Sequence, residues 1–250
     1  DRSVSRGLGD VYKRQDMHCH ILPHIDDGAA TMEEALAMLR LSGEQGVRTV
    51  LLTPHYRRGY FETSRDDVER QFERLRMCAA GEGIDIELYL GCELYRADGM
   101  QKILEADERY CINATRYVLL EFSPNDLADT IWRCTVDLLI SGYRPVIAHA
   151  ERYQAVRDMR FVQKLVDAGA YIQVNAGSIL GWNGWAVKRL CRKLLSKELV
   201  HLVGSDAHGM QGRVPCIGPC ADYLAKKIGS EMVQKLLAEN PKAVLEGKDC

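Results

Sequence analysis

Residues 16–20 read Asp-Met-His-Cys-His, a short run that ends in two histidines one residue apart. Side chains on a β-strand alternate with period two, so His18 and His20 project from one face and can reach one cation. Alone, a His-x-His pair is a weak signal, and its weight comes from the pattern in the rest of the chain. Short apolar or β-branched runs recur at 47–53, 86–92, 117–122, 145–149, 170–175 and 199–204. Segments with helical spacing lie between them, at 32–45, 66–80, 99–105, 127–140, 159–168 and 185–196, and two more come after the last run, at 221–228 and 231–238. Strands separated by helices form parallel βαβ units. Seven such strands in this length favour an α/β barrel over an open doubly wound sheet. Thr31-Met-Glu-Glu34 fits a capping box, and Gly46 and Gly142 fit helix C-caps.

Most of these runs deliver ionisable residues at the carboxyl end. The first ends in His18 and His20, the second runs into His55, the third meets Glu93, and the fourth holds Glu121. The fifth ends at His149 and the seventh runs into Asp206 and His208, while Asp27 lies in the loop after the first. Parallel barrels build their sites at this end, where the βα loops converge. Nitrogen and oxygen donors without thiolate favour Mn, Fe or Zn in a reactive centre over a cysteine-rich structural zinc site. A bridging carboxylate would let a second cation sit about 3.5–4 Å from the first. His201 begins the seventh run, at the opposite end, and reads as structural.

Composition bounds the rest. The 250 residues carry 46% hydrophobic and 27% charged residues and a net charge of -2, values of a soluble globular domain with no general affinity for nucleic acid. No apolar run approaches the roughly 18 residues of a membrane span. The nine cysteines are odd in number and form no Cys-x-x-Cys pair, so they read as reduced thiols of a cytoplasmic protein. Residues 5–15, SRGLGDVYKRQ, correspond in frame to a sequencing adapter that ends in a transposase mosaic end. The expectation is an adapter-derived peptide over 1–15 and one native domain over 16–250. The Cys-x5-Arg loop of thiol phosphatases, the GxxxxGK[ST] loop and the GxSxG elbow are all absent from the sequence. Metal-activated hydrolysis is the chemistry left with support.

The motifs HCHILPHIDDG, TPHY, GCELY, LLEFS, VIAHAERY and GSDAHGMQGR carry a resemblance. The chain resembles the polymerase-and-histidinol-phosphatase (PHP) superfamily, most closely its manganese-dependent bacterial tyrosine phosphatases of capsule and exopolysaccharide loci. The resemblance runs from about Asp16 to the C-terminal ENPKAVLEG. It implies a distorted seven-stranded (β/α)7 barrel of the PHP type with up to three Mn²⁺ ions, with Fe, Zn or Mg as alternatives. Carried over motif by motif, it gives the first metal to His18, His20, Glu93 and Asp206. Glu93 bridges to a second metal held with His55 and Glu121, and Asp27, His149 and His208 complete the set. Arg152 and Arg213 match arginines that bind phosphate, and a guanidinium does suit phosphate oxygens in bidentate fashion. His55 stands with them in the catalytic set. Tyr56 and Arg57, just past His55, are candidates to clamp an aromatic phosphoester. The implied substrate is the phosphotyrosine-bearing tail of a bacterial tyrosine kinase, with no nucleic acid, no membrane insertion, and a homo-oligomer left open. The same ligands could serve a histidinol-phosphatase-like hydrolase of small phosphoesters, or a non-catalytic metal-binding regulator of polysaccharide export.

Overall fold

A computed structural model describes residues 13–250. Most of the expected N-terminal peptide, residues 1–12, lies outside the described residues, whereas Arg14 and Gln15 fall within the first strand. The strands are β1 (Arg14–Cys19), β2 (Val47–Leu52), β3 (His55–Tyr56), β4 (Glu87–Leu90), β5 (Glu93–Tyr95), β6 (Tyr117–Glu121), β7 (Arg144–Ile147), β8 (Tyr171–Asn175) and β9 (Leu202–Gly204). Every pairing among them is parallel. They form two sheets, ordered β1-β2-β4 and β3-β5-β6-β7-β8-β9.

Nine segments stand where seven strands were expected, because two of the seven are divided. Pro54 parts β2 from β3, since a proline has no N–H to give to a ladder. The ladder resumes beyond the break: Gly91 donates to the Leu52 carbonyl at 2.8 Å and Glu93 to the Pro54 carbonyl at 3.0 Å. The other margin closes as well. His20 donates to the Ala207 carbonyl (2.8 Å), Asp206 donates to the His18 carbonyl (2.7 Å), and Cys19 and Ala207 form a parallel bridge. The result is a curled parallel sheet whose first and last strands meet.

Alternation along the strands separates two apolar clusters. Tyr117 and Leu119 of β6 pack inward with Met17, Leu51, Val146 and Leu202. Val118 and Leu120 face outward, into a larger cluster shared with the helices. Glu121 continues the inward series, so the period that fills the barrel with apolar side chains ends in a carboxylate at its rim.

The helices are α1 (Met32–Glu44), α2 (Arg65–Gly81), α3 (Met100–Ala106), α4 (Ala128–Ile140), α5 (Met159–Asp167), α6 (Ala176–Leu180), α7 (Trp185–Ser196), α8 (Ile217–Ile228), α9 (Ser230–Gln234) and α10 (Asn240–Leu245), with π-helical residues Lys235–Glu239 between the last two. Helix α6 was not anticipated, because five residues are too few to show a period. Helix α8 starts four residues earlier than expected, since Pro219 sits in its first turn, where the missing N–H costs nothing. The capping box at α1 is half formed. Thr31 Oγ1 accepts from the Glu34 amide at 3.2 Å, but the Glu34 carboxylate takes the amides of Ala30 (3.0 Å) and Met210 (3.1 Å) instead. This ties α1 to the loop after β9. Gly46 and Gly142 follow α1 and α4 at φ of 80° and 79°, as their C-cap reading required.

Candidate metal centre

The centre lies where β1 and β9 meet. His18 and His20 turn their Nε2 atoms to within 3.2 Å of each other. Glu93, at the start of β5, aims Oε2 at three imidazoles: His18 Nε2 at 3.2 Å, His20 Nε2 at 3.2 Å and His55 Nδ1 at 3.0 Å. Its other oxygen faces His149 Nε2 at 2.7 Å. Asp206 Oδ1 approaches His20 Nε2 at 3.5 Å and His18 Nε2 at 3.8 Å. Glu121 stands 3.7 Å from both His55 and His149. Asp27 lies 3.6 Å from His55 and 3.5 Å from His208. The nine residues expected as metal ligands are thus gathered in one place. They fall into four overlapping groups whose donor atoms lie within 4.8 Å of one another: His20, Asp27, His55 and His208; His18, Glu93 and His149; His18, His20 and Asp206; and His55, Glu93 and Glu121.

Close backbone packing at the seam makes this approach possible. A Cβ on Gly204 would stand 2.4 Å from the His18 Cβ, and one on Gly28 would stand 2.0 Å from the His20 carbonyl oxygen. Only glycine admits the two flanking chains at that distance.

Two features suit divalent cations. Glu93 Oε2 and His208 Nε2 are buried, and neither forms a hydrogen bond. A buried carboxylate oxygen ringed by three imidazole nitrogens without a bond to any of them is costly, and cations held among these groups would satisfy it. The neighbouring groups also hold several imidazoles in a ligand-ready form. His20 Nδ1 faces Asp26 Oδ2 at 2.7 Å and His18 Nδ1 faces Gln173 Oε1 at 3.1 Å, so each ring is anchored on that side and turns its Nε2 to the cluster. Tyr153 OH lies 3.2 Å from His149 Nδ1.

The charges of the cluster act on one another at close range. Burial raises the Glu93 carboxyl, but the imidazoles of His18, His149 and His55 outweigh it and hold the group well below the usual carboxylate range. Glu121 is pushed up to about 7, first by burial and then by the Glu93 charge. Burial pushes His55 down to about 4. For His20, burial is outweighed by Asp26, which holds the ring well above its usual value. The thiols beside the ligands are inert: burial raises Cys19 strongly and pushes Cys92 up to about 12, so neither presents a thiolate.

Arg152 and Arg213 reach the rim, half-exposed. Both point an Nη1 at one oxygen, Asp206 Oδ2, at 3.8 and 3.5 Å. Tyr56 and Arg57 are not gathered with them. The Tyr56 ring packs on Tyr110 at 4.7 Å, and the Arg57 guanidinium lies between the rings of Tyr60 and Tyr95, 4.2 and 4.1 Å from their centroids. The aromatic face beside the cluster belongs to Phe61, stacked on His55 at 5.2 Å. His201 is at the opposite end, accepting the Ile172 amide on Nδ1 at 3.1 Å.

Sequence reasoning missed the residues that support the ligands. Asp26 takes His20, the His55 amide (2.8 Å) and the Gly28 amide (3.0 Å). Gln173 links His18 to the His149 amide (2.6 Å), and Asn175 passes from Gln173 to Asp206 Oδ2 (2.8 Å). The signal for the last two was present: Gln173 and Asn175 are polar residues two apart on a strand with a buried face.

A curled parallel sheet with a nitrogen- and oxygen-donor cluster at its carboxyl end defines a metal-dependent hydrolase of the α/β barrel class. Likeness to a phosphotriesterase homology protein from Escherichia coli, at TM-score 0.59 and 13% identity over 93% of this chain and 98% of that one, reflects the shared fold. Residues 14–246 match the family described as "Capsular polysaccharide synthesis, CpsB/CapC", and the chain belongs to it. It is 35% identical to the tyrosine-protein phosphatase CpsB of Streptococcus pneumoniae over 92% of this chain and 97% of that protein. It is 32% identical to the tyrosine-protein phosphatase YwqE of Bacillus subtilis over 93% and 92%. A structure from a crystallographic study of YwqE and CpsB, described as unique metal-dependent tyrosine phosphatases, matches at TM-score 0.88 and 31% identity over 94% of this chain and 95% of that one.

Proposed function

We propose that the chain is a metal-dependent protein-tyrosine phosphatase. Its substrate is the phosphotyrosine-bearing tail of a bacterial tyrosine autokinase, and its action regulates capsular or exopolysaccharide synthesis from the cytoplasm. The observation that carries this reading is the buried Glu93 carboxylate among three imidazoles, with two arginines at the same rim. The relatives' activities support it. No helix among the described residues is long and apolar enough to cross a membrane.

His18, His20, Asp27, His55, Glu93, Glu121, His149, Asp206 and His208 would hold up to three cations, with Mn²⁺ the proposed metal. When bound, these cations supply Lewis acidity and a nucleophile drawn from water at neutral pH. The chain's own residues do the rest. Arg152 and Arg213 bind the equatorial phosphate oxygens and stabilise the charge that builds there. Asp206 Oδ2 aligns both guanidiniums before substrate arrives, because it is itself fixed by Asn175. Asp26 and Gln173 keep protons on the Nδ1 atoms of His20 and His18. Phe61 offers the substrate ring an apolar surface beside His55. Cys19 and Cys92, the thiols beside the cluster, are raised by burial and offer no thiolate, which supports water as the nucleophile and a route without a cysteinyl phosphoenzyme.

The test is turnover of a phosphotyrosyl peptide by the protein as isolated, after exhaustive chelation, and after Mn²⁺ is restored. Loss and recovery are expected. Activity that survives complete metal removal would overturn the reading.

A further inference from the structure

The phosphate rim opens onto a basic track that runs away from the cluster along α7. Next to Arg152 and Arg213 a hollow of about 700 Å³ is lined by Arg157, Trp182 and Val187. Arg157 and Val187 also line a second hollow of about 460 Å³, together with Trp185, Arg189 and Lys193. Those last three continue into a groove of about 860 Å³ between α7 and α8, which adds Arg192 and Lys227. Shared lining residues set the three side by side, as one run of depressions along α7. It starts at the N-terminal end of α7 and reaches Ser196 at the other end.

Its charge is unspent. Among the described residues, none of Arg189, Arg192, Lys193 and Lys227 forms an ion pair with a carboxylate, in a protein whose net charge is -2. The acid close to Lys193, Asp158, is already paired with Arg160 at 3.1 Å. The carboxylate common to the first two hollows, Glu151, is buried and takes the Asn175 amide at 3.1 Å. Apolar surface lies within the same track: Trp182 is 53% exposed and Trp185 73%. Arg189 sits over the Trp185 ring at 5.5 Å. Unpaired cations alternating with exposed indoles suit an extended chain that bears carboxylates and makes some apolar contacts.

We infer that this track is a docking site for an acidic peptide segment flanking the phosphotyrosine. The inference rests on the phosphatase reading, since the track begins at its phosphate-binding arginines. Helix α7 has 12 residues, a length of about 18 Å, which five or six residues of extended chain would cover. The site therefore reads charge several residues from the reacting tyrosine, on the side of the barrel where α7 lies. Concavity and continuity with the centre favour a peptide over a flat anionic membrane.

The experiment compares kcat/KM for two phosphotyrosyl peptides with the Mn²⁺-loaded enzyme. Both carry six added residues on each side, Asp/Glu-rich in one and Ser/Gly-rich in the other. At low salt the acidic peptide is expected to be preferred about tenfold, from three exposed ion pairs each worth about twofold. The preference should shrink as salt rises. In the combined variant Arg189→Glu, Arg192→Glu, Lys193→Glu the ratio should fall to one or below, with the melting temperature checked to confirm the fold. Equal rates in the wild type, or a preference that survives in the variant, overturns the docking site. If neither peptide nor p-nitrophenyl phosphate is turned over, the phosphatase reading fails by itself. Docking is then read directly, from quenching of tryptophan fluorescence by the unphosphorylated acidic peptide: saturable quenching lost in the variant supports the site, and none in the wild type refutes it. Co-sedimentation with phosphatidylglycerol vesicles, without any peptide preference, overturns the peptide assignment in favour of a membrane.

Discussion

Replacing Asp26 by asparagine tests the idea that its carboxylate sets the proton position on His20. The change keeps the volume and removes one acceptor. Asp26 Oδ2 now receives both the His20 Nδ1 proton (2.7 Å) and the His55 amide (2.8 Å), while Oδ1 receives the Gly28 amide (3.0 Å). If the new amide nitrogen takes the Oδ2 position, it opposes the His55 N–H and forces the His20 proton onto Nε2, the atom that faces the cluster. If it takes the Oδ1 position, only the Gly28 bond is lost, at a cost of about 1–3 kcal/mol for an unmet buried N–H. The second arrangement should prevail. Even then His20 loses the carboxylate that raises its basicity, an effect typically worth 10- to 100-fold in metal affinity. In free energy that is about 1.4–2.8 kcal/mol. Calorimetric titration of the stripped protein with Mn²⁺ should show this loss for Asp26→Asn, and a larger one for Asp26→Ala. Unchanged affinity in Asp26→Asn would refute the argument that Asp26 tunes His20.

Arg152→Ala and Arg213→Ala should each raise the inhibition constant for inorganic phosphate about tenfold or more, as loss of a charge-assisted bond predicts, with metal content by elemental analysis unchanged. Gly204→Ala sets a methyl 2.4 Å from the His18 Cβ and 2.9 Å from its backbone nitrogen, so the seam must part; urea denaturation should show about 1–3 kcal/mol of destabilisation. His201 gives a pH dependence remote from the metals. Burial lowers it to about 4, and its Nδ1 must stay unprotonated to accept the Ile172 amide. The unfolded chain takes up this proton near pH 6.5, so the stability present above 6.5 is lost as pH falls toward 4, by about 2 kcal/mol at pH 5. Asparagine at 201 should flatten that part of the stability profile measured by denaturant titration between pH 7 and 5.

The barrel and the gathering of the candidate ligands were legible because both follow simple periods. Helical and strand spacing alternated, and the histidines and acids fell at strand ends, where a parallel barrel gathers them. The supporting residues were less visible for physical reasons. Asp26 adjoins Asp27 in one acidic pair, and nothing in the sequence says which carboxylate turns toward a histidine. Gln173 and Asn175 carry no charge, so β8 shows no ionisable group at its carboxyl end. Tyr56 and Arg57 show the converse. Proximity to His55 suggested contact with substrate, but two residues of strand cannot dictate which way the next side chains pack. Here Tyr110, Tyr60 and Tyr95 provide aromatic partners brought from elsewhere in the chain.

The join between β1 and β9 also sets an order in time. Asp16 accepts the Ser205 amide across 189 residues of sequence, in the seam that brings His18 and His20 to Asp206. A ribosome adding about 5–20 residues each second needs roughly 10–40 seconds to make that span. Until then the two histidines have neither Asp206 nor the backbone of residues 204–207 to hold them. The complete centre is therefore a late product of synthesis, and cations that reach the nascent chain earlier meet only fragments of it. The full set of donors is offered to a metal only by the closed barrel.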